Sequence, residues 1–93
     1  MVKVKLHLLN IFQLKINKKF IEYEGKNVGD IISQFLQEHK VNLGDDLLDK
    51  SRTKLNPQIL ILLNGRNIKY LKNLKTQLNE NDDIYLSFAL AGG

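Results

Sequence analysis

The sequence predicts an α+β fold, a mixed sheet of four to five strands with one main helix packed across one face, and three stretches carry that prediction. Val2, Val4, Leu6 and Leu8 alternate with Lys3, Lys5 and His7, the period-2 signature of a strand with one buried face. Val28, Ile31, Ile32, Phe35 and Leu36 recur at i, i+3, i+4, i+7 and i+8, which draws one apolar stripe along a helix. Ile59-Leu60-Ile61-Leu62-Leu63 is an unbroken aliphatic run followed by Asn64-Gly65. Such a run suits a central strand, and Asn-Gly is the favoured pair for a two-residue hairpin turn.

The remaining elements fall between these. After the first strand the pattern loosens from Leu9 to Lys19, so an irregular loop or short helical turn is expected there. A second strand covers about Phe20 to Tyr23, broken by Glu24-Gly25-Lys26. Asn27 is placed to cap the helix, with Asp30 three residues later as its reciprocal partner, and the helix should end near His39 or Lys40. A short amphipathic segment around Asp45 to Asp49 buries Leu47 and Leu48. Beyond the Asn-Gly turn, Arg66 to Lys69 forms a short returning strand. Tyr70 to Leu78 is a loop with Leu71, Leu74 and Leu78 packed down, and Glu80-Asn81-Asp82 is a turn before a last strand from Asp83 to Leu90. Strand, strand, helix, strand, short strand, strand is the β-grasp order. Because the Ile59 to Leu63 run is aliphatic on both faces, the sheet's second face is partly apolar, and a partner protein is its natural cover.

With 93 residues, the chain reads as one domain, 1–93, with 89–93 as an extended C-terminal tail and no internal repeat. No stretch approaches the roughly 20 apolar residues of a membrane span, and the alternating start is unlike a signal-peptide core, so a cytoplasmic location is expected. The absence of cysteine removes disulfide scaffolds, thiolate metal sites and cysteine nucleophiles from consideration. His7 and His39, the two histidines, have no accompanying carboxylate pattern for a metal site or catalytic pair, and structural or solvent-facing roles are expected for both. The net charge of +4 comes from scattered lysines with only Arg52 and Arg66 beside them. Nucleic-acid readers cluster their basic residues and interleave aromatics, so no direct nucleic-acid partner is expected.

The sequence closes on Gly92-Gly93 after the apolar stretch from Ile84 to Ala91. Residues without a Cβ let a backbone approach a partner closely and take up dihedrals closed to others. The expectation is a narrow tail able to enter a cleft, whose terminal carboxylate another enzyme can take as substrate.

Leu62-Leu63-Asn64-Gly65-Arg66-Asn67-Ile68, then Leu74-Lys75-Thr76-Gln77-Leu78, then Asp82-Asp83-Ile84 and the Ala91-Gly92-Gly93 end together closely resemble the MoaD/ThiS family of ubiquitin-like sulfur carriers, particularly its archaeal MoaD-like members. The N-terminal strand, the Val28-Gly29-Asp30 helix start and Pro57 also fall where that family has counterparts. Phe88-Ala89 stands where molybdopterin-synthase small subunits often have Pro-Pro. Ser87 to Gly93 looks closer to the ubiquitin-related modifiers that serve both tRNA thiolation and protein conjugation, a dual use shared by small archaeal modifiers.

The resemblance implies a carrier that is not itself an enzyme. Gly93 is the residue whose carboxyl an activating enzyme of the MoeB/ThiF type adenylates, and a sulfur donor then converts it to a thiocarboxylate. Gly92, Ala91 and Leu90 are the tail that enters the partner's channel, and Tyr85, Phe88 and Arg66 are candidate partner-docking residues. No cofactor or metal is expected on this chain, ATP and magnesium being used by the activating enzyme. The sulfur acceptor would be a molybdopterin synthase large subunit or a tRNA thiolation enzyme. Alternatively, a lysine of a target protein attacks the activated carbonyl and leaves an isopeptide bond. A third reading is a β-grasp RNA- or protein-binding module of the TGS-like kind, indifferent to its tail.

Overall fold

The computed structural model describes residues 1–88. The elements are β1 (Val2–Leu8), α1 (Asn10–Ile16), β2 (Phe20–Gly25), α2 (Val28–His39), β3 (Ile59–Leu63), β4 (Arg66–Asn67) and β5 (Asp83–Phe88). The five strands lie in the order β2-β1-β5-β3-β4. β1 runs antiparallel to β2 and parallel to β5, while β3 is antiparallel to both β5 and β4. With α2 across one face this is the β-grasp fold expected from the sequence. No helix among the described residues is long and apolar enough to cross a membrane.

Alternation sorts the strands into two faces. Val4, Leu6 and Leu8 of β1 and Ile84 and Leu86 of β5 are buried against the inner face of α2, where Val28, Ile31 and Phe35 are fully enclosed. The predicted cap is present in full: Asn27 Oδ1 accepts from the Asp30 N–H at 2.9 Å, and Asp30 Oδ2 accepts from the Asn27 N–H at 3.3 Å. Such a cap contributes about 1 kcal/mol. At the hairpin Asn64 and Gly65 both have positive φ, 50° and 88°, as a type I′ turn requires.

Three local expectations are corrected and a fourth is narrowed. Of the loop or short helical turn expected after β1, the helical alternative is found, as the regular seven-residue helix α1. Phe12 is its fully buried anchor, and Asn17, in the left-handed region, ends it by donating its N–H to the Gln13 carbonyl. β2 continues through Gly25 instead of breaking at Glu24. There a Cβ would come within 2.7 Å of Asp30 Cβ, so glycine is what lets the strand pass beneath the capping box. The returning strand is only Arg66–Asn67, because the Asn67 side chain accepts from the Lys69 N–H and turns the chain into a 3-10 turn over Ile68–Tyr70. Leu78 is buried and Leu71 packs on the core, but Leu74 is 46% exposed. It sits in a second 3-10 turn, Asn73–Lys75, entered through Asn73 with φ of 52°. The Leu90 end of the expected last strand lies outside the described residues.

Candidate functional site

The face of the sheet away from α2 carries the candidate site. Cross-strand register places Phe20, His7, Tyr85, Leu62 and Asn67 side by side in one row across all five strands. Leu60, opposite Ser87, adds a second apolar side chain beside that row. Leu60, Leu62 and Tyr85 are half-buried and Phe20 is 43% exposed, the pattern of an apolar patch that no other part of the described chain covers.

The row is built around His7. Its ring lies nearly parallel to that of Tyr85, with centroids 4.5 Å apart and planes 13° apart, and Phe20 leans against its other side at 5.9 Å. His7 Nε2 is 2.8 Å from Asp83 Oδ1, which sets the ring's orientation and hence the flat presentation of Tyr85. Lys5 Nζ sits 4.9 Å from the Phe20 ring centre, within cation–π range. Farther along the same face Lys5 stands opposite Glu22 and Lys3 opposite Glu24. The surface is therefore apolar towards the C-terminal end of β5 and mixed-charge at the other end.

Asn10 holds the end of β5. Its Oδ1 accepts from the Phe88 N–H at 3.2 Å and from the Ile11 N–H at 3.0 Å, while its Nδ2 donates to Ser87 Oγ at 2.9 Å. The Leu9 N–H also donates to the Leu86 carbonyl at 3.0 Å. The last described residue is thus fixed relative to the apolar row, and the chain continues from there to Gly93.

The three docking candidates from the sequence do not converge. Tyr85 lies on the open face, in the centre of the row. Phe88, of opposite strand parity, packs on the core side next to Ile11 and Leu14 of α1. Arg66 is exposed at the hairpin, paired with Leu63 at the far end of β3 from the Ile59–Phe88 pair. Residues Leu90, Ala91, Gly92 and Gly93 lie outside the described residues. The sequence reading overlooked His7 and Phe20 as members of the patch. The period-2 pattern of β1 does put His7 on the outer face, but nothing local shows that β5 lies alongside with Tyr85 in register. Among the described residues no group of histidines and carboxylates is arranged to hold a metal ion.

A five-stranded mixed sheet grasping one helix, with an apolar outer face beside the exit of its last strand, defines a ubiquitin-like protein of the β-grasp class. The chain belongs to the ubiquitin related modifier family, Urm1, whose model matches residues 4–93. It is similar to the solution structure of small archaeal modifier protein 1 from Methanosarcina acetivorans, with 26% identity, a TM-score of 0.84, and coverage of 100% of this chain and 98% of that one. A candidate sulfur carrier protein of Archaeoglobus fulgidus is 38% identical over 40 residues; that stretch is 43% of this chain and 46% of the relative, so the match spans less than half of either. A chain in the crystal structure of the Amycolatopsis orientalis BexX/CysO complex shares the fold, at 22% identity and a TM-score of 0.71 over 97% of this chain and 99% of that one.

Proposed function

We propose that this chain is a sulfur carrier whose C-terminal Gly93 is activated as an acyl-adenylate by a MoeB/ThiF-type enzyme and then converted to a thiocarboxylate. The observation that carries the reading is the family match, which runs through residue 93 and so includes the Gly92-Gly93 end. The chemistry needs an activator because a carboxylate has only oxide as a leaving group. When a Gly93 oxygen attacks the α-phosphorus of ATP, pyrophosphate departs. A sulfur nucleophile then adds to the carbonyl carbon and AMP leaves. Sulfur held this way needs no cysteine on the carrier, consistent with a chain that has none.

In this reading the partner covers the Phe20, His7, Tyr85 and Leu62 row, and Asn10 sets where the chain leaves β5 towards the partner's channel. Leu90 and Ala91 lie along that channel, and Gly92 passes its narrowest point, where a Cβ would clash. A second reading, conjugation to lysines of target proteins, uses the same adenylate and is favoured by the match to a modifier family. The two differ only in the nucleophile that takes the activated carbonyl.

The test begins by confirming from intact mass that the cellular protein ends at Gly93. The chain is then incubated with the activating enzyme, ATP and a sulfur donor, and its mass is followed. The expected product shows the replacement of one oxygen by sulfur, or attachment to a target lysine in the second reading. Deleting Gly92 and Gly93 should leave the fold unchanged and abolish both products. A truncated chain modified as readily as the full one would overturn the proposal.

A further inference from the structure

The inner face of β3 is less completely enclosed than that of β1: Ile59 and Leu63 are buried but Ile61 is half-buried, whereas Val4, Leu6 and Leu8 are fully enclosed. The helix leans towards the other edge of the sheet, where Tyr23 Oη donates to Glu38 Oε1 at 2.6 Å and Gln34 Nε2 donates to the Glu24 carbonyl at 2.7 Å. Between α2 and the β3–β4 arm this leaves a groove of about 620 Å³. Ile32 and Leu36 of the helix and Ile59 and Ile61 of β3 line its floor, and Leu74 stands in its wall. The exposure of Leu74, unexplained by the core, is accounted for if this side chain belongs to a binding surface.

The rim carries Lys54, Lys69 and Lys75, all exposed, and none forms an ion pair with a described residue. The one acidic lining residue, Asp30, is engaged in the helix cap, accepting from the N–H groups of Lys26 and Asn27. An aliphatic floor whose lining carries three ammonium groups against one carboxylate selects for apolar side chains flanked by carboxylates. The lining residues include no aromatic ring on which a base could stack, which single-stranded nucleic acids ordinarily use.

We propose that this groove is a second recognition site, for an acidic peptide segment of a partner protein that inserts aliphatic side chains between α2 and β3. It lies on the opposite side of the sheet from the Tyr85 row and does not depend on the chemistry of Gly93. A carrier or modifier could therefore engage one protein through its outer face and another through the groove.

The experiment titrates the isotope-labelled full chain with a short peptide of alternating leucine and glutamate, followed by nuclear magnetic resonance. Resonance shifts should be confined to groove residues such as Ile32, Ile61 and Lys69, and the affinity should fall as salt is raised. The Lys69→Glu, Lys75→Glu double variant, a surface change that leaves the core untouched, should lose about tenfold or more in affinity. The proposal fails if a leucine–lysine peptide binds as well, if shifts appear at His7 and Tyr85 instead, or if an oligouridylate gives the same groove shifts. It also fails if removing residues 89–93 moves the groove resonances without peptide, since the chain's own tail would then be the occupant.

Discussion

The hydroxyl of Tyr23, on the inner face of β2, donates to the Glu38 carboxylate in the last turn of α2 at 2.6 Å, joining the strand edge to the helix end. Tyr23 is 6% exposed. Burial first, and then the hydrogen bond to Glu38 and its negative charge, raise the phenol well above its ordinary value of about 10.

That relationship predicts an alkaline loss of stability with a defined sign. In the unfolded chain Tyr23 gives up its proton from about pH 10 upward, whereas in the folded chain it keeps it. The folded state then binds more protons than the unfolded state, and stability falls as pH rises. Its contribution is complete below pH 10 and declines above it. Thermal melts from pH 8 to 11.5 should show that decline in the native chain and a shallower one in Tyr23→Phe. At neutral pH Tyr23→Phe should cost only about 1 kcal/mol, because Glu38 is exposed and can be hydrated. Parallel pH profiles for the two proteins would show that Tyr23 does not carry the effect.

Phe35 should be the most damaging single truncation in α2. It is fully buried and meets Phe12 of α1 edge-on, with ring centroids 6.2 Å apart, so its loss loosens two helices at once. Phe35→Ala should cost about 3–5 kcal/mol, much of the stability of a domain this size, measured by urea unfolding. Phe12→Ala should cost a similar amount, and a negligible effect in either would contradict the packing.

A charge on the open face should separate docking from folding. Tyr85→Glu keeps the inner face of β5 intact, since Ile84 and Leu86 carry the core contacts, and the melting temperature should change little. Binding to the proposed activating enzyme should weaken by about 2 kcal/mol or more if Tyr85 is a central anchor, and Leu62→Asp should behave likewise. Arg66→Ala, at the hairpin, should have a smaller effect. Calorimetric titration showing unchanged affinity for Tyr85→Glu would move the docking surface elsewhere.

What the sequence determined by itself is what short-range chemistry decides. The α2 stripe, its Asn27–Asp30 cap, the β3 run and the Asn64-Gly65 turn each depend on residues within a few positions of one another, and each is found as predicted. α1 was legible only as a loop or short helical turn because exposed Leu14 blurs its apolar stripe, and its true signals, Phe12 as anchor and Asn17 as a left-handed cap, are single residues. The sequence pointed to Tyr85 and to a partly apolar outer face, but the assembly of the outer-face row and of the groove belongs to the tertiary structure. His7 and Tyr85 are 78 positions apart by their numbers and meet only because β5 inserts parallel to β1. Phe88 and Tyr85, three positions apart, are separated onto opposite faces by strand alternation. The groove exists because α2 leans towards β2, a choice made by Tyr23, Gln34 and their partners across the fold. Local propensity can name an element, but only long-range pairing decides which side chains from distant elements share a surface.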